Sequence, residues 1–489
     1  MPALENYFAK FRKNIIGTDF CHSFPSGDKP IIYADWAASG RLYRPIEDFI
    51  TDKLGPYVAN THTETTLTGT VMTDAYHQAH HIIKKHVNAN GNDVLLFAGF
   101  GMTTVVNKFQ RILGLRVPEK YKDCIPQQAK KRPLVILTHM EHHSNQTTWE
   151  ESLCDVRIIN RKNDGLPDLD HLRQILEESK ERELLIGSFS GCSNVTGIIT
   201  PYHEMAAIMH EYGGYCFVDF SASAAYLDID MHPADESQRL DAIFFSPHKF
   251  LGGPGSSGVI IFHKELYKNK VPDHPGGGTV LWTNPWGGHR YHEEIELRED
   301  GGTPGFLQAI KAALSILLKE EMGVESIVAR EHELTNLLMT NMRKNPFIQI
   351  LEDKQENRLG YISFYSKNLH YNLLVKLLND KFGIQTRGGC SCAGTYGHIL
   401  LEVDLERSKT ITDKIDHGDL TDKPGWVRIS IHPTMTDAEI LYIVDGINQT
   451  LENYNHWQNE YDFERKTAEF QQKTGKKFMI NLQEGFIAH

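Results

Sequence analysis

The segment SPHKFLGGPGSSG, residues 246–258, places Ser246, His248 and Lys249 between a bulky apolar run and a glycine-rich turn. An unpaired ammonium after a buried strand is costly. One solution is covalent: a lysine beside an aldehyde cofactor becomes an imine, and glycines let the cofactor approach the backbone. The alternative is a surface lysine in a turn, the usual setting for this residue type. In GYCFVDFSAS, 214–223, Asp219 sits at the C-terminal end of an apolar run. Ligands of open α/β sheets bind outside such strand ends. A carboxylate there keeps a pyridine nitrogen protonated and makes the ring an electron sink; otherwise it caps the turn that follows.

Three further segments carry chemistry. In FAGFGMTTVVN, 97–107, a strand ends at Gly99 and Gly101 and a helix starts near Met102. Backbone N–H groups and the helix dipole make an anion site there, to which Thr103 or Thr104 adds a hydroxyl. HMEHHSN, 139–145, puts His142 and His143 after a strand, as a stacking or acid–base pair or as two surface histidines. With His139 and the cysteines they form no zinc spacing, so no metal site is expected. TRGGCSCAG, 386–394, holds Cys390 and Cys392 in a glycine-flanked loop with Arg387 close by. Such a loop exposes a thiol, and a nearby cation favours the thiolate. Arg428, in WVRIS, is a candidate carboxylate clamp, because a guanidinium binds carboxylate in a bidentate fashion.

These residues need a scaffold that brings them to one edge. Apolar runs of strand length occur at 31–37, 94–100, 133–140, 156–161, 184–190, 214–221, 242–249 and 257–262. Several are continuously apolar, as a sheet buried on both faces requires. Helical patterns at 71–89, 102–115, 168–182 and 201–213 lie between them, which points to a mainly parallel α/β sheet. The segment 271–305, rich in Gly, Pro and Trp, reads as a long irregular connection. A helix follows over 304–342, then strands at 361–366 and 426–431 around a helix at 369–382. Residues 401–424 read as an exposed insertion, and the polar tail is expected to have a helical middle.

This divides the chain into a large domain, 30–305, a smaller one, 306–455 together with 1–29, and a tail, 456–489. The chain has 489 residues and a formal net charge of −12, so it lacks the global electrostatic footprint of a nucleic-acid binder. No apolar run approaches the length of a membrane span, and the N-terminus lacks a signal-peptide core. Seven cysteines scattered over such a length are no disulfide framework. The expected compartment is the cytoplasm.

The order of the motifs MEHHSN, SNVTG, VDFSAS, SPHKFLGGPG and RGGCSCAG over residues 30–450 resembles the class V aminotransferase superfamily of fold-type I pyridoxal-phosphate enzymes. Within it, the cysteine desulfurases and selenocysteine lyases of the Suf type are most similar. The resemblance implies a large domain with a mainly parallel sheet plus a smaller α+β domain, pyridoxal 5'-phosphate as cofactor, and a homodimer. It makes Lys249 the Schiff-base lysine and general base, Asp219 the partner of the pyridinium nitrogen, and His142 the ring-stacking residue. Asn194 would contact the ring hydroxyl. Gly101, Met102, Thr103, Ser246 and His248 would hold the phosphate, with Thr279 of the segment Gly276 to Thr279 reaching the second subunit's phosphate. Arg428 and Arg387 would take the carboxylate of a small amino-acid substrate. Cys392 would be the nucleophile that turns cysteine into alanine and keeps the sulfur as a persulfide for an acceptor protein. Related readings are a selenocysteine lyase, an epimerase, an aminotransferase or a non-catalytic scaffold for sulfur-transfer partners. Against the family pattern, Ala222 replaces a glutamine, Met102 a threonine, and about twenty extra residues separate Cys392 from Arg428.

Overall fold

A computed structural model of the protein describes residues 4–61, 63–125, 132–475 and 478–485. Its centre is a seven-stranded sheet in the order Asp93–Ala98, Gly258–His263, Ala242–Phe245, Tyr215–Asp219, Leu185–Ser190, Leu134–Leu137 and Asp155–Ile158. Gly258–His263 runs antiparallel to both its neighbours, and the pairings from Ala242–Phe245 outward are parallel. The continuous apolar runs explain this burial. Leu95, Ile136, Val218, Ile243 and Ile261 point into one apolar cluster. Their chain neighbours Leu96, Val135, Phe217, Phe244 and Ile260 point into another on the opposite face. With a side-chain period of two, both faces must be apolar.

A second sheet, entirely antiparallel, has the order Gln349–Ile350, Tyr361–Tyr365, Trp426–Ser430 and Arg387–Gly389. Its core is shared with the helices Val324–Met342, Tyr371–Phe382 and Asp437–Trp457, and with Phe8 and Phe11 of the first helix, Leu4–Arg12.

Several expectations are corrected. The run 31–37 is not a strand of the large sheet. Only Ile32–Tyr33 is extended, and it pairs in parallel with Ile384–Gln385. The apolar run 242–249 stops being a strand at Phe245, because Pro247 has no N–H to donate and opens a tight turn over Pro247–Lys249. The helix expected over 304–342 is two, Phe306–Met322 and Val324–Met342, broken at Gly323, whose φ of +75° suits glycine. The connection 271–305 contains a hairpin, Val280–Thr283 with His289–Tyr291, and a short helix, Ile295–Glu299. The insertion carries a helix, Leu405–Asp416. In the tail, Tyr461–Glu464 pairs with Glu469–Gln472 where a helix was expected. Asp437–Trp457, unassigned from sequence, is a 21-residue helix opened by a Thr436–Glu439 capping box.

Candidate functional site

The C-terminal ends of the parallel strands and the edge of the second sheet enclose a cavity of about 250 Å³. Gly101, Met102, Thr103, His142, Asn194 and Asp219 line it, as do Ser246, His248, Lys249, Arg387, Cys392 and Arg428. Thr279 is not among its lining residues: it is buried elsewhere, with Oγ1 donating to the Gly276 carbonyl at 2.7 Å.

Lys249 ends the tight turn after Ala242–Phe245 and faces the cavity. Among the described residues its ammonium has no hydrogen-bond or ion-pair partner. Burial lowers its pKa to about 8, with Arg428 and Arg387 adding repulsion and Asp219 and Cys392 opposing. Asp219, the last residue of Tyr215–Asp219, is buried, and burial raises its carboxyl above the ordinary range. Its Oδ1 accepts from Ser221 N at 2.9 Å, so it caps a turn and also faces the cavity.

The anion cradle is built by close approach. Ser246 Oγ accepts from the Met102 N–H at 2.9 Å, at the first turn of Met102–Ile112. A Cβ on Gly101 would sit 3.1 Å from that same Oγ and 3.6 Å from His248 Nε2. Thr103 Oγ1 lies 2.6 Å from Ser144 Oγ, and Ser221 Oγ 3.3 Å from Ser246 Oγ. Burial and the neighbouring Lys249 hold His248 down at about 4. The cradle is therefore made of hydroxyls, a helix start and a neutral imidazole.

His142 caps the helix His143–Glu150: its Nδ1 accepts from Ser144 N at 3.1 Å, which leaves the proton on Nε2. Burial first, then the charges of Lys249, His143 and the two arginines, lower it to about 3, so the ring is neutral at pH 7. Beneath it, buried Glu141 accepts hydrogen bonds from Thr138, Asn145 and Ser190, which fixes the strand end that carries the histidines.

The cysteine loop comes from the second sheet. Ser391 and Cys392 have φ of +51° and +58°, a left-handed conformation that costs energy in non-glycine residues and concentrates at functional sites. Hydrogen bonds hold it, one of them from Trp426 Nε1 to Ser391 Oγ at 3.2 Å. The His143 N–H donates to the Cys392 carbonyl at 2.7 Å, and His143 Nε2 accepts from Gly394 N at 2.8 Å. Asn194 Nδ2 donates to the Ser391 carbonyl at 2.7 Å. Cys392 is exposed and borders the cavity, whereas Cys390 is half-buried and packs against the apolar cluster of Met140, Tyr396 and Trp426. All seven cysteines are free thiols. Arg428, buried, donates to Asp35 Oδ1 at 2.7 Å and to the Asn194 carbonyl at 2.9 Å.

Sequence reasoning missed Ser144, Ser190, Ser221 and Cys192, which all line the cavity. It also missed the clamping role of His143, and Asp35. A carboxylate inside the apolar run IIYADWA was the available signal for Asp35, and Glu141 between Met140 and His142 for the buried network.

The family model Aminotransferase class-V matches residues 32–443. A probable cysteine desulfurase of Halalkalibacterium halodurans is 25% identical over 372 residues, 74% of this chain and 84% of that relative. A cysteine desulfurase of Haloferax volcanii is 24% identical over 367 residues, 74% of this chain and 81% of its own length. Among solved structures, the apo cysteine desulfurase of Thermococcus onnurineus superposes with a TM-score of 0.72 at 20% identity, covering 91% of this chain and 98% of its own. A cysteine desulfurase of Escherichia coli in an S-sulfonic acid form gives 0.70 at 19%, with the same coverage. These likenesses show the fold.

Proposed function

Because the chain belongs to the aminotransferase class-V family, we propose that it is a cysteine desulfurase that uses pyridoxal 5'-phosphate and leaves the sulfur as a persulfide on Cys392. The observation that carries this reading is that Cys392 borders the same cavity as Lys249, Asp219 and Arg428.

The residues present suit that cofactor. An unpartnered lysine with a lowered pKa suits an aldehyde. A buried carboxylate suits a pyridinium nitrogen, and a neutral imidazole suits the face of an aromatic ring. The Met102 helix start with Ser246, Thr103 and His248 suits a phosphate. When bound, the cofactor would supply an electron sink for the electrons left by the substrate's α-proton.

The chain's own residues do the rest. Arg428, with Arg387, holds the substrate carboxylate, which fixes the α-carbon relative to Lys249. Lys249 Nζ takes the α-proton and returns it elsewhere on the substrate, a role that a pKa near 8 suits at neutral pH. Cys392 Sγ bonds to the substrate sulfur as the Cβ–S bond breaks, and the electrons of that bond stay with carbon. Protonation then gives alanine. The persulfide leaves from an exposed loop, open to an acceptor protein. The protein works as a homodimer: exposed Leu281, Trp282 and Trp286 on the hairpin offer apolar surface to a second copy.

Incubation with L-cysteine should give alanine and sulfane sulfur bound to the protein. Cys392→Ser should abolish the bound sulfur and Cys390→Ser should retain it. Alanine formed with no sulfur on the protein would overturn the persulfide route.

A further inference from the structure

Two helix starts meet at the anion cradle, those of Met102–Ile112 and His143–Glu150. In the second, the N–H groups of the first turn are already taken. The His143 N–H goes to the Cys392 carbonyl, the Ser144 N–H to His142 Nδ1 and the Asn145 N–H to the His142 carbonyl. What this first turn offers the cavity is therefore a side chain, the hydroxyl of Ser144. Further along the same helix, Thr147 and Thr148 turn their hydroxyls back to the carbonyls four residues earlier, at 2.9 and 2.7 Å. Ser144 sits too near the helix start to do so, because Met140, four residues before it, lies outside the helix. Its Oγ reaches across to Thr103 Oγ1 instead, at 2.6 Å.

The proton count gives this contact its weight. The cations that line the cavity are Lys249, Arg387 and Arg428, and His248 is neutral, so the cradle at Met102 relies on hydroxyl and backbone protons. Each hydroxyl has one proton and two acceptor sites. Ser246 Oγ accepts from the Met102 N–H and keeps its own proton to give. Thr103 and Ser144 hold two protons, and the bond between them takes one. When Ser144 is the donor, the proton left over is that of Thr103, which stands beside Met102 in the first turn of its helix. An anion at that helix start favours this arrangement, and bonded hydroxyls polarise each other.

We propose that Ser144 is a positioning residue for the cofactor's phosphate: its hydroxyl donates to Thr103 Oγ1 and turns the Thr103 proton toward the anion. Through its N–H on His142 the same residue sets the imidazole that faces the ring, so one helix start registers ring and phosphate together. The proposal rests on the reading that pyridoxal 5'-phosphate is the cofactor.

The test measures affinity and not turnover. Full-length apoprotein is titrated with pyridoxal 5'-phosphate and with pyridoxal, which has the aldehyde but no phosphate, and capture is followed by absorbance. Ser144→Ala keeps the N–H to His142 and suits a helix, so only the hydroxyl is lost. It should lower the affinity for pyridoxal 5'-phosphate about three- to tenfold and leave that for pyridoxal unchanged. Ser144→Thr keeps a hydroxyl and should restore the affinity. Thr103→Val should also lower the preference for the phosphorylated ligand. Adding Ser144→Ala to it should cost nothing more, because Ser144 acts through Thr103. A merely structural role would weaken both ligands alike. An unmoved ratio of the two affinities in Ser144→Ala, or a further loss in the double variant, would overturn the proposal while the cofactor reading stands. Unmodified protein that captures neither ligand would sink the cofactor reading and the proposal with it.

Discussion

Lys249 shows how far a single side chain is set by its surroundings. Burial, more than any charge, lowers it to about 8 from an ordinary 10.5, and the carboxylate of Asp219 partly opposes that shift. A lowered pKa means more neutral amine at neutral pH, and the neutral amine is the form that captures an aldehyde. The rate of pyridoxal-phosphate capture by the apoprotein should therefore rise as pH passes through about 8. It should level off above that instead of climbing toward the pKa of an exposed lysine. Asp219→Asn removes the opposing charge and should move the midpoint to lower pH. Absorbance-monitored capture from pH 6 to 10 reads both, and a midpoint near 10 would mean an ordinary, solvated lysine. The identity of Lys249 was legible because its neighbours are local in sequence: an apolar run before it and glycines after it. Asp35 was not, because its meaning comes from two arginines more than 350 residues away.

At the level of elements, the cysteine loop depends on a helix start from the other sheet. His143 gives one hydrogen bond to the loop and accepts another, and it flanks the residue whose thiol borders the cavity. The imidazole can accept from Gly394 only while neutral, and burial, with Lys423 nearby, lowers its pKa. His143→Ala removes that acceptor and should free the loop. A hydrogen bond is worth about 0.5–1.5 kcal/mol, so alkylation of Cys392 by iodoacetamide should quicken about two- to tenfold. Peptide mass spectrometry would report it, and an unchanged rate would mean that the bonds left in the variant, from the residue 143 N–H to the Cys392 carbonyl and from Asn194 to the Ser391 carbonyl, hold the loop without the imidazole. The strands of the large sheet were legible from their apolar runs. The run 31–37 was misassigned because apolar periodicity reports burial and not the identity of the sheet that buries it. The tail hairpin was missed because its alternation is short and polar. Tertiary contacts fix it: Phe463 and Phe470 dock on His370, Asn372 Nδ2 donates to the Ala468 carbonyl at 2.6 Å, and the Tyr461 hydroxyl donates to Asp380 Oδ2 at 3.0 Å.

Across the whole molecule, the long connection after Gly258–His263 is anchored to the large sheet by charge. Glu296 receives the Leu95 N–H at 2.7 Å, with Lys84 at 2.5 Å and His80 at 3.2 Å. Burial would raise its carboxyl, but these partners win and hold it at about 2. A carboxyl lowered on folding stabilises above its unfolded value, near 4.5, and that contribution is lost as pH falls toward 2. Glu296→Gln should cost about 2 kcal/mol in urea unfolding at pH 7, and the gap from the unmodified protein should close between about pH 4.5 and 2. A gap independent of pH would assign the loss to packing.

By itself the sequence determined the α/β class and the order of the chemistry-bearing segments, because strand burial, glycine turns and helix starts are written in neighbouring residues. The tertiary structure decided which residues share one cavity: the left-handed thiol loop clamped by His143, the arginine pair bridged by Asp35, and the placing of Thr279 away from it. Those arrangements join segments hundreds of residues apart, so their energies come from register and charge across two sheets, which no local pattern encodes.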